Sequence, residues 1–237
     1  MRSKNVFHFK QFSIRQDRVT MKVGTDGVLL GAWVTVPDAG AILDIGTGSG
    51  VIAIMLAQRT NESVKIDAVE IVPQDAEQAR ENVASAPWKQ RIAVHTMSIQ
   101  QYQPATKYDL IVCNPPYFIN SLTPPDPGRK TARHASSLTQ NDLLLAAKSL
   151  LTTHGRLSVI LPYTEGNLFM HLAASSDLHC IRQAQFKTRK NKPVERLLLE
   201  FSFVNQPLAT EEIVLYEERE EYTAQYRHLT GAFYLHF

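Results

Sequence analysis

The chain has 237 residues, of which 44% are hydrophobic and 20% charged, and these globular proportions exclude general disorder. No apolar run approaches the roughly 18 residues of a membrane span, and no apolar stretch follows the charged N-terminus as in a signal peptide. Cys113 and Cys180 are too few for a disulfide framework, and the scattered histidines show no metal-ligand spacing. We therefore expect a reduced, cytoplasmic protein without a metal or a membrane anchor.

The net charge of +2 combines 25 basic and 23 acidic residues that are unevenly distributed. Basic residues concentrate at 1–22, 129–134 and 182–196, and acidic residues at 211–221, which predicts separate basic and acidic faces. Basic clusters can neutralise the phosphates of RNA or DNA, whereas the alternative is a solvated surface with local salt bridges. The candidate RNA-binding residues are Lys10, Arg18, Arg129, Lys130, Arg133, Lys187, Arg189, Lys190 and Lys192.

Short apolar runs alternate with helical patterns through the middle of the chain. Strands are predicted over 41–45, 64–71, 91–97, 108–114 and 155–162, and helices over 49–59, 73–85, 138–151 and 166–176. This alternation indicates a parallel α/β sheet that is covered on both faces. Two further strands, 178–188 and 194–204, have no helix between them and predict an antiparallel hairpin at one edge of a seven-stranded sheet.

The rest of the chain flanks this core, and we expect a single domain over 1–237. Residues 1–40 form a short N-terminal extension, in which 25–34 is predicted to be a helix with Thr25 as its N-cap. Residues 41–204 form the sheet core, and 205–237 are expected to be a C-terminal tail that packs on it.

A glycine-rich loop, LDIGTGSG at 43–50, follows a predicted strand and opens a predicted helix. Open α/β sheets bind ligands at this position, and glycines let a ligand approach the backbone closely. The GxGxG spacing differs from the GxGxxG of dinucleotide loops, and Asp44 would face a pyrophosphate unfavourably but would suit a cationic amine. The loop therefore favours S-adenosylmethionine over NAD. Its candidate cofactor-binding residues are Asp44, Gly46, Thr47, Gly48 and Gly50.

Two later positions extend this candidate site. Glu70 ends the second core strand, where an acid can accept hydrogen bonds from both ribose hydroxyls, and Ile71 follows it. Ser98 and Ile99 follow the third core strand and would flank the adenine ring of the cofactor.

The sequence Asn-Pro-Pro-Tyr at 114–117 directly follows the fourth core strand. Pro115 and Pro116 restrict the backbone and remove two N–H donors. The amide of Asn114 and the carbonyl of Pro115 are then free to accept hydrogen bonds from one external NH2 group, and Tyr117 offers a face on which a planar ring can stack. Such a site would hold a planar amine as a methyl acceptor.

With this motif the chain resembles class I S-adenosylmethionine-dependent methyltransferases, a Rossmann-like fold. FKQFSIRQDRVTMKVGTDGVLLGAW (9–33), VERLLLEF (194–201) and YTAQYRHLTGAFYLHF (222–237) resemble the bacterial tRNA1(Val) (adenine-37-N(6))-methyltransferase family. This resemblance implies methylation of adenine 37 in the anticodon loop of a valine tRNA, with Gly24, Thr25 and Asp26 near the methionine end of the cofactor. An acid is frequent in methyltransferases where this chain has Gln100, so an amide or the backbone is expected to contact the cofactor's adenine amine.

The Asn-Pro-Pro-Tyr motif alone leaves other substrates open. It also occurs in methyltransferases that act on release-factor glutamine or on rRNA guanine, although 1–40 is too short for a helical domain that binds a protein substrate. A non-catalytic RNA-binding module is the third alternative, and the intact motif argues against it. No obligate protein partner is expected.

Overall fold

The computed structural model describes residues 5–115 and 138–236, and within them the chain forms strands and helices that largely alternate. The strands are β1 (Val6–His8), β2 (Ser13–Arg15), β3 (Ala41–Ile45), β4 (Lys65–Glu70), β5 (Ile92–Thr96), β6 (Tyr108–Cys113), β7 (Leu151–Pro162), β8 (His179–Arg189), β9 (Arg196–Ser202) and β10 (Ala209–Tyr216). The α-helices are α1 (Thr25–Trp33), α2 (Val51–Arg59), α3 (Pro73–Ser85), α4 (Gln140–Leu150), α5 (Tyr163–Ala174) and α6 (Ala224–Thr230). Single 3-10 turns precede β5 and follow it.

The main sheet has eight strands in the order β10-β8-β9-β7-β6-β3-β4-β5. Strands β3 to β7 run parallel, β9 is antiparallel to both β7 and β8, and β10 is parallel to β8. The predicted α/β fold and the antiparallel β8–β9 hairpin are therefore confirmed. The predicted count of seven strands is wrong, because β10 adds an eighth strand and occupies the edge that the hairpin was expected to form.

The acidic segment at 211–221 contributes to the edge strand β10, and its sequence explains why. Ile213 and Leu215 are buried, while the glutamates before them are exposed or half-buried. An edge strand accepts such charged residues more readily than a central strand does. The run Ile-Val-Leu-Tyr at 213–216 is rich in strand-forming residues and indicates a strand. The many glutamates around it made this indication easy to overlook.

The central strands are buried on both faces. Neighbouring residues of β3, Ile42 and Leu43, belong to separate apolar clusters on opposite faces of the sheet. One cluster joins the sheet to α1 and α2, and the other joins it to α4 and α5. This two-sided burial explains why these strands are continuous apolar runs rather than alternating ones.

The N-terminal extension is built into the first cluster. Helix α1 packs so closely on α2 that a Cβ atom added at Gly31 would lie 2.9 Å from the sulfur of Met55. The helix begins at Thr25, and Gly24 is its N-cap without a side-chain hydrogen bond, so the predicted N-cap is wrong by one residue. Phe9, after β1, stacks with Tyr234 of the tail at a centroid distance of 6.1 Å.

Candidate active site

A cavity of about 680 Å³ lies at the carboxyl edge of the parallel strands β3 to β6. The loops that follow these four strands line it, together with residues 20–27 and with Leu138, Thr139 and Asp142. The predicted site residues that line the cavity are Gly24, Thr25, Asp26, Gly46, Thr47, Gly48, Glu70, Ile71, Ser98, Ile99, Asn114 and Pro115. Asp44 and Gly50 do not line it, and Pro116 and Tyr117 lie outside the described residues.

The backbone amides of the glycine loop are directed into the protein. The N–H groups of Gly46 and Thr47 donate to the carbonyl of Val69 at 2.8 and 3.2 Å. The N–H of Gly48 donates to Oε2 of Glu70 at 2.9 Å. Gly46 and Gly48 have φ angles of 70° and 54°, which residues other than glycine rarely adopt. These amides are therefore already bonded and are not available to cradle a pyrophosphate.

Asp44 lies behind the loop, completely buried. Its Oδ2 accepts hydrogen bonds from Oγ1 of Thr47 at 2.6 Å and from the N–H of Ala53, in the first turn of α2, at 3.2 Å. Its Oδ1 is buried without a hydrogen-bond partner among the described residues. Burial raises the pKa of Asp44 to about 7. The carboxyl group thus fixes the loop to the start of α2 and leaves one oxygen unpaired.

Glu70 lies at the end of β4 and faces the cavity. In addition to the Gly48 bond, its Oε1 accepts a hydrogen bond from the N–H of Val72 at 2.9 Å. Burial raises the pKa of Glu70 above its usual value, although these backbone bonds oppose the shift. Two acids at the loop disfavour a pyrophosphate and suit a ligand that carries positive charge. The site residues therefore fit S-adenosylmethionine, whose sulfonium and amine are cationic.

Asn114 and Pro115 lie at the end of β6, on the wall opposite α1. The side-chain amide of Asn114 has no hydrogen-bond partner among the described residues, and it faces Gly27, where an added Cβ atom would lie 3.7 Å from Nδ2. Next to Gly27, the carboxylate of Asp26 accepts a hydrogen bond from Nε of Arg196 at 2.8 Å. Within the described part of the chain, nothing therefore occupies the hydrogen-bonding groups of this amide, which lines the cavity.

Sequence reasoning missed several residues of the cavity wall. Asp75 holds residue 20 over the cavity, because its Oδ1 accepts from the N–H of Thr20 at 3.1 Å. Arg196 and Asp142 also line the cavity. Asp142 forms a capping box with Thr139 at the start of α4, and this T-x-x-D pattern before an apolar run was visible in the sequence. None of these residues lies directly after a parallel strand.

The candidate RNA-binding residues fall into three groups. Lys10, Arg18, Lys187 and Arg189 bind protein groups, namely Gly231, Glu81, Glu212 and the segment from Glu217 to Glu220. Lys190 and Lys192 are exposed in the turn between β8 and β9. Arg129, Lys130 and Arg133 lie outside the described residues.

The basic segment 182–189 and the acidic segment 211–220 therefore do not form separate faces. Parallel pairing places β10 beside β8, so that Arg182 lies 2.8 Å from Glu211, and Lys187 pairs with Glu212. Only the turn after β8 retains exposed lysines among the basic residues at 182–192.

Two other expected properties concern metals and membranes. Within 5–115 and 138–236, no group of three histidine, cysteine or acidic residues could hold a metal ion. No helix in the same residues is both long and apolar enough to cross a membrane.

Solved structures resemble this fold at low sequence identity. A protein described as a predicted O-methyltransferase from Agrobacterium tumefaciens superposes with a TM-score of 0.70 at 18% identity, over 88% of this chain and 96% of that one. A glycopeptide N-methyltransferase in complex with S-adenosylhomocysteine gives 0.57 at 13% identity, over 79% and 91%. Three features together define a class I S-adenosylmethionine-dependent methyltransferase. They are the fold, the glycine loop with its two acids, and the Asn-Pro pair at the end of β6.

Sequence relatives identify the family within this class. A family model described as the methyltransferase small domain matches residues 22–167. The tRNA1(Val) (adenine(37)-N6)-methyltransferase of Bacteroides thetaiotaomicron is 44% identical over 97% of each chain. The one of Trichodesmium erythraeum is 46% identical over 98% of this chain and 99% of its own. The chain belongs to the tRNA1(Val) (adenine(37)-N6)-methyltransferase family.

Proposed function

We propose that this protein transfers the methyl group of S-adenosylmethionine to N6 of adenine 37 in tRNA1(Val). The observation that carries the proposal is the placement of Asn114 and Pro115 on the wall of the cofactor cavity, beside the acidic glycine loop. The relatives that cover the chain almost completely act on this base according to their names.

The cofactor would be held by the loops at the carboxyl edge. Its sulfonium supplies an activated methyl group that needs no further catalyst to become electrophilic. Glu70 would accept hydrogen bonds from the ribose hydroxyls, since each of its oxygens has a remaining lone pair. Asp44 would add negative charge behind the loop, and Gly24, Thr25 and Asp26 would enclose the methionine end.

The acceptor amine would be held by the motif at 114–117. The Asn114 amide oxygen and the Pro115 carbonyl would accept the two N–H bonds of the adenine N6 group and favour a more tetrahedral nitrogen. Tyr117 would hold the base by stacking. An amide is a poor base, so the proton would leave to water after the transfer. Positioning therefore supplies most of the acceleration, for which oriented reactants offer roughly 7–11 kcal/mol.

The anticodon loop would approach the same edge of the sheet. Strand β9 begins there with Arg196, which lines the cavity, so the preceding turn with Lys190 and Lys192 lies at the same edge of the sheet. Exposed lysines at this position would bind the phosphates around the target base. We infer that the protein works in the cytoplasm, where its two cysteines stay reduced, and needs no protein partner.

The proposal is tested with purified protein and two transcripts. Unmodified tRNA1(Val) should acquire one methyl group at adenine 37, identified by nuclease mapping and nucleoside mass spectrometry. A transcript with cytosine at position 37 should acquire none. Methylation of a release-factor glutamine or of an rRNA guanine, with no product on tRNA1(Val), would contradict the proposal.

A further inference from the structure

The order of the strands determines which residues line each end of the cofactor cavity. Strands β6, β3, β4 and β5 are consecutive neighbours, about 4.8 Å apart, so the loops that follow them form a row. The transferred methyl group must face Asn114 after β6, and Glu70 after β4 marks the ribose. The adenine ring of the cofactor would therefore lie farthest from Asn114, beside the residues that follow β5.

The exocyclic amine of this ring needs a hydrogen-bond acceptor, and the loop after β5 contains no carboxylate. Ser98, Ile99 and Gln100 line the cavity there. A carboxylate reaches the same end from another element, because Asp142 in the first turn of α4 also lines the cavity. Helix α4 packs against the 3-10 turn that contains Gln100, which places Asp142 at the β5 end of the cavity.

Asp142 keeps the capacity to accept a further hydrogen bond. Its Oδ2 accepts from the N–H of Thr139 at 3.0 Å and from Oγ1 of Thr139 at 2.6 Å. These are two donors, whereas an ionised carboxylate accepts about four. Partial burial by itself raises the pKa of Asp142, but the bonds from Thr139 and the nearby side-chain amide of Gln100 outweigh it and place the pKa below its usual value. The group is thus ionised at neutral pH.

We propose that Asp142 accepts a hydrogen bond from the exocyclic amine of the cofactor's adenine and makes the site selective for an aminopurine. The inference rests on the proposed function, because it presupposes the cofactor. Asp142 of the capping box thus supplies the acid that the loop after β5 lacks. Its carboxylate would cap α4 and bind the ligand at the same time.

The test compares two ligands by calorimetric titration, which involves no turnover. One is S-adenosylhomocysteine, and the other is its analogue with unsubstituted purine, which lacks the exocyclic amine. A hydrogen bond to an ionised group is worth roughly a tenfold or larger difference in equilibrium constant. The unaltered protein should therefore bind S-adenosylhomocysteine at least tenfold more tightly than the purine analogue.

Two variants separate recognition from helix capping. Asp142→Ala should weaken the binding of S-adenosylhomocysteine about tenfold and leave the affinity for the purine analogue within twofold. Thr139→Ala also breaks the capping box but keeps the carboxylate, so the preference for the aminopurine should persist. Asp142→Asn retains an acceptor oxygen and should restore part of the preference.

Three results would overturn the inference. Equal affinity of the unaltered protein for both ligands excludes an acceptor at the amine and needs no variant to fold. An equal loss for both ligands in Asp142→Ala would assign the residue a purely structural role. Failure of the unaltered protein to bind S-adenosylhomocysteine would refute the proposed function together with the inference. The first two results would refute only the inference about Asp142.

Discussion

At the scale of single residues, Asn114 combines exposure to the cavity with freedom from protein hydrogen bonds among the described residues. Its amide can therefore bind the acceptor amine without first breaking a hydrogen bond to a residue of 5–115 or 138–236. We expect Asn114→Ala to lower turnover at least a hundredfold, since one well-placed polar group in an active site contributes about that factor. The dissociation constant of S-adenosylhomocysteine should change less than threefold, because other loops hold the cofactor. Single-turnover assays and calorimetry measure the two effects, and normal turnover would contradict the role.

The raised pKa of Asp44 predicts how the stability of the protein depends on pH. Its pKa is raised by burial from 3.8 to about 7, so the folded state binds this proton more tightly than the unfolded state. Its contribution to stability is therefore present at low pH and is lost as pH rises between these two values. Asp44→Asn has nearly the same shape and cannot ionise.

The free energy of unfolding of Asp44→Asn, minus that of the unaltered protein, should increase with pH by up to about 1.4 kcal/mol per unit. Urea unfolding from pH 4 to pH 8 measures it. Asp38→Asn is the control, because Asp38 is far less buried and its variant should show no such trend. A difference that does not change with pH would show that Asp44 is ionised throughout.

The sequence predicted most cavity residues that directly follow a parallel strand, because the strand–loop–helix alternation places those loops at one edge. It did not predict Asp142 or Arg196, whose positions depend on how α4 and β9 cross that edge. Asp44 was predicted as a cofactor contact, and the structure places it behind the loop with Thr47. A residue's position along a strand therefore indicates the edge that it occupies, but not whether its side chain faces a ligand or the protein.

At the scale of elements, the pairing of β10 with β8 changes the interpretation of the charge pattern. Lys187 forms an ion pair with Glu212 across the two strands, so the carboxylate compensates its positive charge locally. The lysines of the turn after β8 remain exposed. A charge count along the sequence could not separate these groups, because the partner glutamates lie 25 to 31 residues later and only the strand register brings them together.

The two exposed lysines of this turn should bind tRNA phosphates. Replacing Lys190 and Lys192 with serine should reduce the slope of log K against log salt by about 1.4–1.8, since each phosphate contact contributes about 0.7–0.9. Lys65 and Lys89 are the matched control, because both are exposed and lie at the opposite edge of the sheet, Lys65 as the first residue of β4 and Lys89 shortly before β5. Filter binding over a salt series measures the slopes. Equal slopes for both double variants would remove the turn from the RNA-binding surface.

At the scale of the whole molecule, the two ends of the chain share one apolar cluster with the sheet. Phe9 and Ile14 of the extension and Tyr226 and Phe233 of the tail belong to the cluster that contains Ile54 of α2. The side chain of Lys10 also donates to the carbonyl of Gly231 at 2.5 Å. Because this cluster is continuous, we expect the extension, core and tail to unfold together as one domain.

Phe9→Ala tests this expectation, because Phe9 is only 3% exposed and stacks on Phe12 at 4.5 Å between ring centroids. Removing a buried phenylalanine ring costs about 3–5 kcal/mol, and the loss should appear in a single urea transition with an unchanged m-value. Leu208→Ala, at a site 47% exposed in the tail, should change the free energy of unfolding by less than about 0.5 kcal/mol. If the extension were an independent addition, Phe9→Ala would instead create a separate early transition and leave the main one in place. Fluorescence and circular dichroism recorded on the same samples distinguish the two outcomes, since a single domain gives coincident curves.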